Sequence, residues 1–509
     1  MASRTENATR NIIWGIIEKV MTLLLPFITR TVLIKMIGAD YLGLNTLFTS
    51  ILHVLSISEL GIGTAIVFSM YKPISEKDND KLCALINVYR KIYFAVGTVI
   101  LVAGLVITPF IKKLIKSEYP DDINIYILFL IYLFNTVIGY YLYAYQAAIF
   151  TAYQRSDLIS KRTAFVSCIS NVLQISVLIL FRNYYMYVII IPLATIITNF
   201  MNAYLARKMF PDIVCKGKIT KEEKTGLKKR ITGLLSYKIY GVIFDSVDVV
   251  VISAFIGLTE LAIYNNYFYV QKSILGFLMI ITSSITAGIG SKMITNSVED
   301  NYKDFKNLVF AQGWICSWAS VCMFCLYQHF MTWWVGEDLT FPFSTMCLMT
   351  LYFFIPRLTN MSYTYREAAG LWWEDRFRPL ISTVVNLGIN LILVQIIGIN
   401  GVVISTLVCA VFINVPWGTH ILFKNYFKRS SAEYFRHIFF YFTVTLIVAL
   451  ITFFICSLLP SKGILFLLVK GVICCIIPNI LFWLIYHKRP EFQMIIDLIT
   501  KIMKKIRKS

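Results

Sequence analysis

Five ionisable side chains stand deep inside long apolar runs of this 509-residue sequence: Glu59, Asp245, Asp248, Lys272 and Arg357. If those runs cross a bilayer, each charge costs about 2.5 to 3.5 kcal/mol at a helix centre even on the mildest scales, so it must face a cavity or a partner. Asp245 and Asp248 are three residues apart and share a helix face, where they can hold a cation, a proton or Lys272. Lys272 and Arg357 suit phosphate oxygens, which accept charge-assisted hydrogen bonds that offset desolvation. The competing reading is structural pairing, Lys272 with Asp245 or Asp248 and Arg357 with Glu367. Glu59, in SISELGIGTAIVF, is either an ion-coupling carboxylate or the partner of a neighbouring cation. A sixth charge, Arg30, lies about 9 Å from the expected end of its helix, so it can either bind an anion or snorkel to the interface.

The elements that position these groups follow from composition. The chain is 58% hydrophobic and only 15% charged, with a mean hydropathy of +0.69, outside the soluble range. Apolar runs of about 20 residues, each able to cross roughly 30 Å of hydrocarbon, recur throughout. We place spans near 12–36, 42–68, 86–111, 124–150, 163–181, 184–206, 231–256, 261–290, 307–330, 342–366, 378–398, 400–423, 437–459 and 463–487. With the N-terminus inside, about 36 of the 48 Lys and Arg flank inside breaks and about 6 flank outside ones, so both termini are expected in the cytoplasm. The net charge of +20 is then a topology signal and not a nucleic-acid signature. The tail EFQMIIDLITKIMKKIRKS has the pattern of an amphipathic interfacial helix. The first run is read as a retained span and not a signal peptide.

Enzyme chemistry has little to stand on. The sequence holds no P-loop, no H-E-x-x-H and no glycine-rich nucleotide loop, and its five His are scattered. The 11 Cys, among them Cys168, Cys322, Cys325, Cys474 and Cys475, read as small hydrophobes in helices, with no metal and no cofactor expected. Tyr and Trp, densest in YYLYAY at 140–145, can stack sugars but are equally expected at membrane interfaces.

Two internal echoes suggest duplication. QAAIFTAYQR at 146–155 resembles EAAGLWWEDR at 367–376, and IGADYL at 37–42 resembles IGLTEL at 256–261, with offsets that agree within two residues. An even number of spans separates them, so the halves have the same topology. The series LPFITRTVLIKMIGADYLGLNTLF, SELGIGTAIVF, AYQAAIFTAYQRSDLISKR and DVVVISAFIGLTELAIYNNYF resembles the bacterial polysaccharide transporters, the Wzx-type flippases of O-antigen and capsular units. That family shares a superfamily with multidrug and toxin extrusion transporters and lipid II flippases.

The expectation is therefore an all-α integral membrane protein of about 14 transmembrane helices. Two six-helix lobes (1–210 and 231–425), related by pseudo-two-fold symmetry around a central cavity, are joined by a basic linker (211–230). Two extra helices (437–487) and the basic tail (488–509) follow. The resemblance implies alternating access in the bacterial inner membrane and translocation of an undecaprenyl-pyrophosphate-linked oligosaccharide to the outer leaflet. Arg30, Lys272 and Arg357 would meet pyrophosphate and sugar; Glu59, Asp245 and Asp248 would couple H+ or Na+ or pair within the cavity. Membrane lipids and a polysaccharide polymerase are the expected partners. A multidrug exporter, a lipid II flippase and a membrane enzyme of lipid-linked sugars are the alternatives.

Overall fold

The computed structural model describes residues 4–56, 61–460 and 462–494; the side chains of 4–9, 229–230, 232–240, 243–245, 280–288, 290, 291 and 294 lie outside that description. Glu59, the side chains of Asp245 and Lys238, and the tail from 495 onward therefore lie outside the described residues.

All described secondary structure is helical. In chain order the helices are α1 (Arg4–Met36), α2 (Ala39–Leu55), α3 (Ile62–Glu76), α4 (Asn79–Ile107), α5 (Ile125–Tyr141), α6 (Ala147–Ala152), α7 (Ser156–Phe181), α8 (Tyr184–Met209) and α9 (Lys221–Phe255). They continue with α10 (Leu258–Thr295), α11 (Val298–Val335), α12 (Phe343–Leu358), α13 (Asn360–Ala368), α14 (Arg378–Ile397), α15 (Ile399–Cys409), α16 (Val415–Leu422), α17 (Ala432–Ser457) and α18 (Ile464–Tyr486). Nine helices among the described residues are long and apolar enough to span a bilayer, and α5 with α6, bent by 47°, makes a tenth span if counted as one. Several expected spans are broken: 42–68 falls on α2 and α3, 124–150 on α5 and α6, and 342–366 on α12 and α13.

Local chemistry sets the ends. Thr220 and Glu223 form a reciprocal capping box at the start of α9, each side chain accepting the other's backbone N–H, which satisfies two of the otherwise orphaned donors. Ser297 caps α11 by accepting the Asp300 backbone N–H, and Asn183 caps α8 by accepting that of Met186. At 38 residues, α11 is about 57 Å long, against roughly 30 Å of hydrocarbon, so its charged first turns (VEDNYKDFK) have length to spare outside the membrane. Pro356 lies three residues before the junction of α12 and α13, consistent with a break there.

The chain forms two compact units, Met1–Asn265 and Asn266–Ser509. In the first, α1 runs along α7, α7 along α8, and α2 along α9. Gly43 of α2 faces the backbone of Leu258; a Cβ there would collide with its carbonyl. In the second, α11 packs on α12, α17 and α18 around an aromatic cluster that includes Phe305, Phe310, Tyr365, Phe423, Phe427 and Tyr434.

The core is apolar, but so is much of the exterior, and amides are buried within. Val384, Ile396, Phe412, Phe439 and Phe454 are exposed, whereas Asn171, Gln174, Asn199, Asn202, Asn386 and Asn390 are buried. An apolar exterior over an amide-bearing interior is what hydrocarbon solvent selects, because polar groups must then be satisfied inside.

Candidate functional site

The polar interior of the first unit is organised around a cavity of about 470 Å³. Each wall is one stripe of a helix. From α7 come Thr163, Ser167, Ser170, Asn171 and Gln174; from α8 come Tyr187, Thr195, Thr198 and Asn199. Spacings of three and four put each set on a single face. Pro26, Thr29 and Arg30 supply the α1 wall and Asn45 the α2 wall. Pro26 also removes one helical donor, leaving the Thr22 carbonyl without its usual partner one turn earlier.

Hydrogen bonds fix these side chains. Thr29 Oγ1 donates to Asn171 Oδ1 at 2.7 Å, and Asn171 Nδ2 donates to the Ser167 carbonyl at 2.8 Å. Thr195 Oγ1 donates to Asn135 Oδ1 at 2.8 Å, and Gln174 Nε2 reaches the Tyr187 carbonyl at 3.4 Å. Arg30 is half-buried, and its Nη1 donates to the Asn265 carbonyl at 3.3 Å. The Asn265 amide in turn donates to Thr46 Oγ1. Among the described lining residues Arg30 is the one Lys or Arg, and no carboxylate lines the cavity. The surface thus offers one cation amid amides and hydroxyls, beside apolar side chains of Pro26, Leu33, Leu42, Val166, Ile191 and Ala194.

Of the other residues singled out in the sequence, Asp248 is buried on α9 and accepts the Tyr264 hydroxyl at 3.1 Å. Lys272 is exposed on α10. Arg357 is half-buried near the end of α12, with its Nε buried and without a hydrogen-bond partner among the described residues. No described ion pair joins Arg357 to Glu367, whose carboxylate instead accepts the Tyr363 hydroxyl at 2.5 Å. Asn45, Asn171, Gln174 and Asn199 were not among the residues singled out in the sequence. The signal was present as amides recurring every three or four residues within apolar runs.

Buried charges also pin the corners where the two echoing segments lie. Arg378 grips Asp375 with two hydrogen bonds of 2.6 Å, Arg366 adds a contact of 3.2 Å to the same carboxylate, and Arg378 Nη1 continues to Asn414 Oδ1 at 2.7 Å. In the first unit Arg155 holds Asp157 at 2.9 and 3.1 Å, and Arg162 donates to Asn202 at 2.6 Å.

Residues 8–286 match the family described as polysaccharide biosynthesis protein. No curated protein matches the chain. Among solved structures, the fold is similar to that of the lipid II flippase MurJ in its inward closed conformation, with a TM-score of 0.61 and 16% identity over 94% of this chain and 98% of that one. It is also similar to a multidrug resistance MATE family transporter of the MOP superfamily in an inward-facing conformation, with a TM-score of 0.62 and 14% identity over 83% of this chain and 100% of that one. An outward-facing conformation of such a transporter gives 0.52 and 15% over 84% and 98%. At these identities the likeness establishes the fold.

Proposed function

The chain belongs to the polysaccharide biosynthesis protein family, and on that premise we propose that it is a flippase carrying undecaprenyl-pyrophosphate-linked oligosaccharides from the cytoplasmic to the outer leaflet of a bacterial inner membrane. The observation that carries this reading is the α1–α2–α7–α8 cavity, where Arg30 stands among Asn45, Asn171, Gln174 and Asn199. Pyrophosphate needs a cation and donors, and sugar hydroxyls need both donors and acceptors; a drug-type cation would find a like charge at Arg30. A volume of about 470 Å³ falls within the roughly 300 to 1,000 Å³ of small-ligand sites, a size suited to a pyrophosphate and its first sugar.

The cycle we propose is alternating access, with the repeat halves as its lobes and both termini in the cytoplasm. Lys272 and Arg357 are the further phosphate ligands of this reading. Glu59, Asp245 and Asp248 carry any coupling to H+ or Na+, and a polymerase in the outer leaflet would consume the product.

Binding of purified undecaprenyl-pyrophosphate oligosaccharide, followed by microscale thermophoresis in detergent, tests the site. Arg30→Ala is expected to weaken binding by about 10- to 100-fold, the worth of a lost charge-assisted hydrogen bond of roughly 1.5 to 3 kcal/mol. An affinity equal to wild type would remove Arg30 and its cavity from substrate recognition.

A further inference from the structure

Three cysteines that are remote in sequence meet in the second unit. Cys325 of α11, Cys456 at the end of α17 and Cys474 of α18 are buried, and their Sγ atoms all lie within 4.8 Å of one another. The Cys456 and Cys474 sulfurs are 3.9 Å apart. A fourth thiol, Cys322, sits one turn from Cys325 and points its Sγ at the Cys474 carbonyl at 3.6 Å. All four are free thiols.

Small apolar filler is one use of such thiols, but two features exceed it. The first is separation. Sulfurs bound to one ion through bonds of about 2.3 Å stand roughly 3.8 to 4.0 Å apart. The Cys456–Cys474 pair is already at that distance, and the third sulfur needs a shift of less than about 1 Å, a rotamer-scale adjustment. The second is charge. Lys470, one turn from Cys474 on α18, is buried. A buried ammonium calls for compensating negative charge, which neutral thiols do not supply.

We propose that Cys325, Cys456 and Cys474 form a binding site for one thiophilic d10 metal ion, Cu+ or Zn2+, with Lys470 as its countercharge. Zn2+ with three thiolates carries −1, as does Cu+ with two thiolates and one thiol, and Lys470 neutralises either. Each thiolate forms by releasing a proton to solvent, so binding strengthens as pH rises. Cu+ accepts three sulfurs readily, whereas Zn2+ prefers four ligands; Cys322, one turn from Cys325 and outside the three-sulfur group, is a further thiol that would have to enter protonated for the charge to stay at −1. Bound metal would fasten the α17–α18 pair to α11. The sequence hid this site because its ligands come from three helices with no short ligand spacing.

The test uses full-length protein in detergent, reduced and stripped of metal, titrated separately with Cu+ against a chelating competitor and with Zn2+. The site predicts one ion per chain in at least one arm, with thiolate-to-metal charge-transfer absorption, and loss of both in Cys456→Ser and Cys474→Ser but not in Cys168→Ser. Lys470→Met should weaken affinity by about tenfold, as loss of outer-sphere support does. If Zn2+ alone binds, Cys322→Ser should weaken it as well. Should the serine variants misfold, wild-type protein alone remains decisive: metal must slow alkylation of Cys456 and Cys474. Absence of stoichiometric binding in both arms, unchanged binding in Cys325→Ser/Cys456→Ser/Cys474→Ser, or unprotected thiols overturns the proposal.

Discussion

At the scale of single residues, charge in this protein divides into groups that hold the structure and groups that we propose hold a ligand. Asp375 is the clearest of the first kind, clasped by Arg378 and Arg366 with every side chain of the trio buried. Breaking such a pair from one side leaves cations uncompensated, so Asp375→Asn should destabilise the protein by about 3 to 5 kcal/mol, read as a lowered unfolding midpoint in detergent; an unshifted midpoint would show that water reaches the pair. Arg30 is of the second kind, anchored to a backbone carbonyl while lining the cavity. The sequence displayed Arg30 and Arg357 as charges in apolar runs, but it could not distinguish anchor from ligand, because that depends on which helices stand opposite. It also displayed Asp375, yet only as one acidic residue in a polar break; its two arginine partners become visible once the turn between α13 and α14 brings Arg366 and Arg378 to one carboxylate.

At the scale of elements, the periodicity of apolar residues located the helices because hydrocarbon leaves the backbone few other options. What it missed are the interruptions within expected spans, at α5–α6 and α12–α13, since a bend costs few residues and hardly changes mean hydropathy. The tie of the α9 capping box to α4 was not legible in the sequence either: Lys81 Nζ lies 2.5 Å from Glu223. That hydrogen bond from Lys81, followed by the Thr220 backbone N–H, holds the Glu223 carboxyl below the usual carboxylate range. A depressed carboxyl contributes stability that is present above its unfolded value, about 4.3 for Glu, and lost as pH falls through the folded one. Glu223→Gln should therefore lower the unfolding midpoint by a few degrees at most at neutral pH, the contact being largely exposed. The difference from wild type should close as the pH is brought below about 4; a pH-independent difference would assign the effect to the cap alone.

At the scale of the whole molecule, the apolar exterior, amide-bearing interior and family membership converge on a multi-pass membrane transporter, for which we propose lipid-linked sugars as the cargo. The echoes at 37–42 and 256–261 and at 146–155 and 367–376 pointed to a duplicated chain, and the fold is shared with transporters of the MOP superfamily. The central claim is that the cavity beneath Arg30 recognises the head of an undecaprenyl-pyrophosphate oligosaccharide as it crosses. The most direct measurement is the rate at which vesicles reconstituted with the protein move a fluorescent lipid of this kind between leaflets, compared with Arg30→Ala inserted to the same level. The account predicts movement well above protein-free vesicles, slowed by about tenfold or more in the variant, as expected for the loss of one charge-assisted hydrogen bond. Wild-type vesicles no faster than protein-free ones, or an Arg30→Ala protein as fast as wild type, would contradict it.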